Sequence, residues 1–192
     1  HGRDRRQRQM CIRDSCHHNA DMSSPNVTNA TIKRAFFLYL LQHSQYNSKM
    51  RLALYQPDIA PNVGTMLRLG ACLGVPVDII EPCGFPFGAK DLKRAVMDYA
   101  DAADVTRHIS WQAFMQNKSG KRLILLTTKA DTAYMDFTFT ESDILLLGRE
   151  SAGVPPEVHD MADHRILIPM TEGMRSINVA LSASMVLGEA LR

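Results

Sequence analysis

Three short runs of consecutive apolar residues constrain this chain more than any other feature: Leu123-Ile124-Leu125-Leu126, Ile144-Leu145-Leu146-Leu147 and Ile166-Leu167-Ile168. A strand with one wet face alternates apolar and polar residues, whereas a strand covered on both faces has no need to. These runs are too short for buried helices and too uniform for half-exposed strands. They predict central strands of a parallel sheet with helices on both sides. Gly148 follows the second run at once, and Pro169 stops the third.

The rest of the chain fits that scheme. Arg51 to Tyr55 reads as a strand and Gln56 to Pro61 as a loop. Val63, Met66, Leu67, Gly70 and Leu73 recur at helical spacing, and Gly74 ends that helix. Val77 to Ile80 is the next strand, so residues 51–80 form a βαβ unit. A Pro/Gly/Phe loop over Pro82 to Gly88 leads to a helix over Asp91 to Ala103 and a strand over Val105 to Ile109. Ser110 caps a short helix over Trp111 to Gln116, and Pro155 begins another that runs to about Met161. Thr171 to Arg175 is a loop. Ser176 or Asn178 caps a last helix that carries Val179, Ser182, Ala183, Val186 and Leu187 inward. The fold class is α/β with a mainly parallel sheet flanked by helices.

The first 49 residues do not share this texture. They are polar, without sustained periodicity, and are expected to be a disordered or artefactual extension of a domain over residues 50–192. Met10 to Ser15 resembles the translation of a sequencing-library transposon end, and Met50 is read as the native start. The extension also explains the basic pI: residues 1–49 carry a net charge of +5, and residues 50–192 carry −3. A nucleic-acid site on the domain must therefore be a local basic patch. Lys90, Lys93, Arg94, Arg107, Lys129, Arg149 and Arg175 are the cations available for it, with Phe85 and Phe87 for stacking on unpaired bases. No apolar run approaches the ~20 residues of a membrane helix. Lys33-Arg34 and the apolar residues after it lack a cleavage site, so the expected compartment is the cytoplasm. Cys72 and Cys83 show no metal or disulfide spacing; Cys11, Cys16, His17 and His18 could form a metal cluster, but nothing around them would build a site, so no metal is expected.

In an open parallel sheet, ligands bind beyond the carboxyl ends of the strands. Three such ends stand out: Leu126-Thr127-Thr128-Lys129, Gly148-Arg149-Glu150-Ser151-Ala152-Gly153 and Ile168-Pro169-Met170. None is a G-x-G-x-x-G fingerprint or a Walker A loop, which disfavours a nucleotide-binding oxidoreductase or an NTPase.

Three ordered segments carry a family resemblance. Asn62-Val63-Gly64-Thr65-Met66-Leu67-Arg68, then Gly148 to Pro155, then Ile168-Pro169-Met170 with Arg175-Ser176-Ile177-Asn178 are similar to the three motifs of the SPOUT methyltransferases. Within them the chain most resembles the small enzymes that 2′-O-methylate the wobble cytidine or uridine of tRNA. Leu54 to Pro57, Ile80-Glu81-Pro82, Asp98-Tyr99 and Thr106-Arg107-His108 share that likeness. The resemblance implies S-adenosylmethionine as cofactor, a tRNA anticodon stem-loop as substrate, a C-terminal deep trefoil knot and a homodimer with sites near the subunit interface. It implies that Leu126, Gly148, Ile168, Ser176 and Ile177 line the cofactor pocket. It implies that Asn62, Arg68, Glu150 and Asn178 face the reaction centre. Intact residues at those four positions argue against a non-catalytic RNA-binding module of the same fold.

The family suggests Arg68 for activating the ribose hydroxyl. A guanidinium stays protonated to pH ~12 and above, so orienting the hydroxyl or gripping a phosphate is physically easier than taking its proton. The chain departs from the subfamily pattern at Val96, where glycine is usual, and at Arg149, where proline is frequent. It also stops a little early, at Arg192. The two substitutions are expected to bear on RNA docking.

Overall fold

The computed structural model describes residues 49–86 and 103–192. Residues 1–48 of the expected extension over residues 1–49, the helix from Asp91 and its Asp98-Tyr99, and Phe87, Lys90, Lys93, Arg94 and Val96 lie outside the described residues.

Among the described residues seven strands form one sheet: β1 (Arg51–Tyr55), β2 (Val77–Ile80), β3 (Val105–His108), β4 (Leu123–Leu126), β5 (Thr132–Ala133), β6 (Ile144–Leu147) and β7 (His164–Leu167). Their order is β3-β2-β1-β6-β4-β7-β5, and every pair is parallel. The described α-helices are α1 (Ala60–Leu73), α2 (Trp111–Asn117), α3 (Pro156–Asp160) and α4 (Val179–Ala190). The third apolar run lies one to two residues later than its strand, since β7 starts at His164 and Ile168 is already past its end. Ile109 also falls outside β3 and is 84% exposed. The two-residue β5 and the 3-10 turn Tyr134–Asp136 complete the far edge.

The apolar runs are explained by cores on both faces. On one face Leu52, Leu54, Ile79, Ile124, Leu145 and Ile166 meet Val63 and Met66 of α1 and Ala183, Val186 and Leu187 of α4. On the other, Ala53, Tyr55, Ile80, Leu123, Leu125 and Leu146 meet Trp111 and Phe114 of α2 and Val158 of α3. Alternate residues of one strand thus enter different cores, and polar residues have no place on either side. Among the described strands the exceptions are Asp78, 3% exposed within β2, and His108, 5% exposed within β3. Arg51 donates to both Asp78 oxygens at 2.6 and 2.9 Å, and His108 Nε2 lies 2.7 Å away, so the buried charge is paired.

Local signals set the helix ends. Gly74 takes a left-handed φ of 65° and its N–H donates to the Gly70 carbonyl, ending α1. A Cβ on Gly70 would lie 2.6 Å from the Val75 carbonyl oxygen, so glycine lets the returning chain press against α1. Ser110 Oγ accepts from Ala113 N at 3.2 Å and caps α2. Of the two residues offered as the cap of α4, Asn178 is the one used: its Oδ1 accepts from Ala180 N and Leu181 N.

Candidate functional site

A cavity of about 390 Å³ opens at the carboxyl ends of β4, β6 and β7. Sheet order explains its position. β6, β4 and β7 are neighbours, so the loops that leave them converge. Leu126 comes from the end of β4, Gly148 from the first residue after β6, and Ile168 from the first after β7. Ser176, Ile177 and Asn178 arrive on the segment that enters α4, and Asn62 arrives on the first turn of α1. Glu150 completes the wall.

The loop after β6 is closed on itself. Arg149 and Gly153 exchange backbone bonds, each N–H donating to the other's carbonyl at 2.9 Å. Gly153 makes the turn with φ 67°. Gly148 makes the closure possible, because a Cβ there would lie 2.6 Å from the Gly153 carbonyl carbon. Proline at position 149 has no N–H and would lose one of the two bonds. Arg149, the departure from the subfamily pattern, therefore contributes to closure through its main chain.

A chain of side-chain bonds crosses the cavity wall. Glu150 Oε2 accepts from Asp58 N at 2.9 Å, and Glu150 Oε1 accepts from Asn62 Nδ2 at 3.0 Å. Asn62 Oδ1 accepts from Asn178 Nδ2 at 3.1 Å, and Asn178 Oδ1 caps α4. The carboxylate can only accept and the α4 amides can only donate, so both Asn amides have one consistent orientation. Sequence reading brought Asn62, Glu150 and Asn178 together only through the resemblance; the structure joins them by contact.

Asp58 escaped the sequence reading. Its carboxylate accepts from Ser151 N at 3.2 Å and from Ser151 Oγ, and lies 3.4 Å from Arg149 Nε. The Ser151 hydroxyl bond, with the Arg149 charge adding to it, holds the Asp58 carboxyl below the usual carboxylate range against the opposing effect of burial. A charged residue just beyond β1 was a visible signal, but its side-chain partner Ser151 lies 93 positions on, and no local pattern reports that.

Of the nine residues named from the sequence, eight line the cavity: Leu126, Gly148, Ile168, Ser176, Ile177, Asn62, Glu150 and Asn178. Arg68 does not; it is exposed on α1. Among the cations, Arg149 and Arg175 line the cavity and Lys129 is exposed on the loop beyond β4. Arg107 donates to Glu81 Oε1 at 2.7 Å. Phe85 packs against the α1 side of the core, so its ring is partly withdrawn from the stacking expected of it. No described helix is long and apolar enough to cross a membrane.

Known proteins resemble this chain in sequence and fold. Residues 49–188 match the SpoU rRNA Methylase family. A tRNA (cytidine(34)-2'-O)-methyltransferase of Beijerinckia indica subsp. indica is 60% identical over 143 residues, covering 73% of this chain and 89% of that protein. The Escherichia coli (strain K12) protein of the same name is 39% identical over 145 residues, covering 74% and 92%. A solved structure described as giving insights into the 2-OH methylation of C/U34 on tRNA superposes with a TM-score of 0.72 at 36% identity, over 74% of this chain and 94% of that one. The methyltransferase AviRb from Streptomyces viridochromogenes, solved with AdoMet, shares the fold at a TM-score of 0.65 and 24% identity, over 73% and 56%.

Proposed function

The chain belongs to the SpoU rRNA Methylase family, and from that premise we propose that it methylates the ribose 2′-hydroxyl of the wobble cytidine or uridine in tRNA, using S-adenosylmethionine. The observation that carries this reading is the convergence of three sequence-distant loops on one cavity whose wall holds the Glu150–Asn62–Asn178 chain. When bound, the cofactor supplies a methyl carbon made electrophilic by its sulfonium leaving group. The cavity suits it. Its volume falls in the range of ~300–1,000 Å³ usual for small-ligand sites. Leu126, Ile168 and Ile177 offer apolar walls for an adenine, and Gly148 and Ser176 bring main chain close to it. In this reading Asn62, Glu150 and Asn178 face the ribose. With one bond accepted at each oxygen, Glu150 keeps acceptor capacity for the substrate hydroxyl. A ribose hydroxyl is a poor nucleophile, so rigid in-line placement is the main contribution of the protein.

The test is to incubate the protein with tRNA and cofactor carrying a radiolabelled methyl group and to map the modified nucleotide. An alkali-resistant linkage after the wobble nucleotide is expected; label elsewhere, or none, would overturn the reading.

Residues 50–192 are the catalytic domain in this proposal, acting in the cytoplasm on the anticodon stem-loop, and residues 1–49 lie outside it. A deep trefoil knot fits the insertion of β7 between the earlier strands β4 and β5. A homodimer fits the apolar side chains that α4 leaves outward, Leu181 at 59% and Met185 at 41% exposure. Since Arg68 is exposed outside its own cavity, we assign its action to the partner's site, where it orients the hydroxyl or grips a phosphate. Arg68→Ala should lower turnover at least ~100-fold, about 2.7 kcal/mol at the barrier. Mixed dimers of Arg68→Ala with Glu150→Ala should regain activity, because one of their two sites is intact. No regain would sink the cross-subunit assignment.

A further inference from the structure

Asp58 stands where two strand ends meet. It belongs to the turn beyond β1, which Gln56 starts with a left-handed φ of 43°, and it reaches the closed loop beyond β6. Four contacts converge on it. Its main-chain N–H holds Glu150 Oε2, and its carboxylate takes the Ser151 N–H, the Ser151 hydroxyl and the charge of Arg149. The Arg149 contact differs from the others. Arg149 Nε is buried and pairs with Asp58 Oδ1 at 3.4 Å, a longer contact than those Ser151 makes. Arg149 and Glu150 are neighbours in sequence and line the same cavity. If Asp58 released the cation, Glu150 would be an alternative carboxylate for it on that wall. A Glu150 paired with Arg149 could not also keep its present geometry toward Asn62, and through Asn62 toward Asn178.

We propose that Asp58 is a positioning residue for the methyl transfer: it occupies Arg149 and Ser151, and so leaves both oxygens of Glu150 to Asp58 N and Asn62. The proposal rests on the functional reading above and adds a residue to it. Asp58 touches no reacting atom in this scheme; it acts through Glu150. Its carboxyl, held below the ordinary range, is ionised at neutral pH, as a charge-holding role requires.

The experiment compares Asp58→Ala, Asp58→Asn and Asp58→Glu with Arg149→Ala and the double variant Asp58→Ala/Arg149→Ala. Asp58→Ala and the near-isosteric Asp58→Asn should each lose about tenfold in kcat, with KM for cofactor and tRNA changed less than about threefold, while Asp58→Glu regains part of the loss. The double variant should be within about threefold of Arg149→Ala alone, since without the cation Asp58 has little left to hold away. A residue that merely braces the loop gives the opposite pattern: losses that multiply, and a fall in melting temperature that tracks them. Multiplying losses, or a parental kcat in Asp58→Asn, would overturn the proposal. A readout independent of turnover is the ¹⁵N resonance of Arg149 Nε. It should move in Asp58→Ala and return toward its parental position in Asp58→Ala/Glu150→Gln, and an unmoved resonance also overturns the proposal. If the parent methylates no tRNA, the functional reading fails instead, and the resonance still decides whether Asp58 keeps Arg149 from Glu150.

Discussion

Gly148 shows how a single hydrogen atom can decide the shape of a site. Its glycine character reads in the sequence as room for a flat ligand beside the main chain. On that view Gly148→Ala shares the backbone strain of Gly148→Val but fills less of the pocket, and serves as its control. The structure corrects this. Gly148 is not among the positive-φ residues, and the obstruction is the Gly153 backbone, 2.6 Å from where the first side-chain carbon would sit. Alanine already meets that obstruction, so Gly148→Ala should spring the 149–153 closure and cost about 1–3 kcal/mol. The better control is Gly153→Ala. Nothing lies within 4 Å of a Cβ there, and only its φ of 67° opposes the change. Strain of that kind is worth roughly 1–2 kcal/mol. Calorimetry should find cofactor affinity reduced more by Gly148→Ala than by Gly153→Ala at matched loss of melting temperature. Equal reduction would show that loop closure does not shape the pocket.

At the scale of elements, α4 and the site share one residue. Asn178 caps the helix with its oxygen and holds Asn62 with its nitrogen, so these roles can be separated by chemistry. Asn178→Ala should remove both and destabilise by about 1 kcal/mol, as the loss of a cap does. Asn178→Asp keeps an acceptor for the Ala180 and Leu181 amides but offers Asn62 no donor. It should melt near the parent and still transfer methyl groups poorly; a fully active Asn178→Asp would show that the amide chain does not serve the reaction. The elements themselves were legible to different degrees. Leu123–Leu126 and Ile144–Leu147 announced themselves because strands covered on both faces have no polar alternation to blur them. Thr132–Ala133 was missed because two residues carry no period. The neighbour relation of β6, β4 and β7 could not be read, since a parallel strand's partner is set by packing and not by any turn between them. The meeting of Leu126, Gly148 and Ile168 was therefore known only through the family likeness, and Asp58, outside the likeness, was not known at all.

The molecule as a whole should be acid-sensitive in a definite window. Asp143 is fully buried; burial pushes its carboxyl up, but Arg122 and Thr140 donate to it and outweigh that, leaving it below the ordinary value of 3.8. The Lys118 hydrogen bond, with Leu123 N assisting, holds Asp163 down as well. A carboxyl depressed in the folded state binds fewer protons there than in the unfolded chain. Its contribution is complete above the unfolded value and disappears as pH falls through the folded one. Urea midpoints should be level from pH 7 to about 5 and fall below about pH 4, with Asp143→Asn less stable at pH 7 but shallower in its acid slope. A parental slope in that variant would exclude Asp143 as a source. Removing residues 1–48 should change melting temperature and methyl transfer little, provided Met50, 1% exposed, is kept. The nearby Lys121 Nζ bond to the Lys49 carbonyl is exposed and worth little. A loss of several degrees would show that the domain reaches further toward the N-terminus. The sheet order also sets a timetable. β1 pairs on one side with β2, close behind it, but on the other with β6, aligning Arg51 with Ile144. At roughly 5–20 residues per second on the ribosome, that second partner follows the first strand by about 5–20 s. For that interval a growing chain carries Leu52, Ala53 and Leu54 along an open strand edge, the kind of surface that other chains pair with. Newly made protein should therefore need sheltering most until Ile144–Leu147 has emerged to cover that edge.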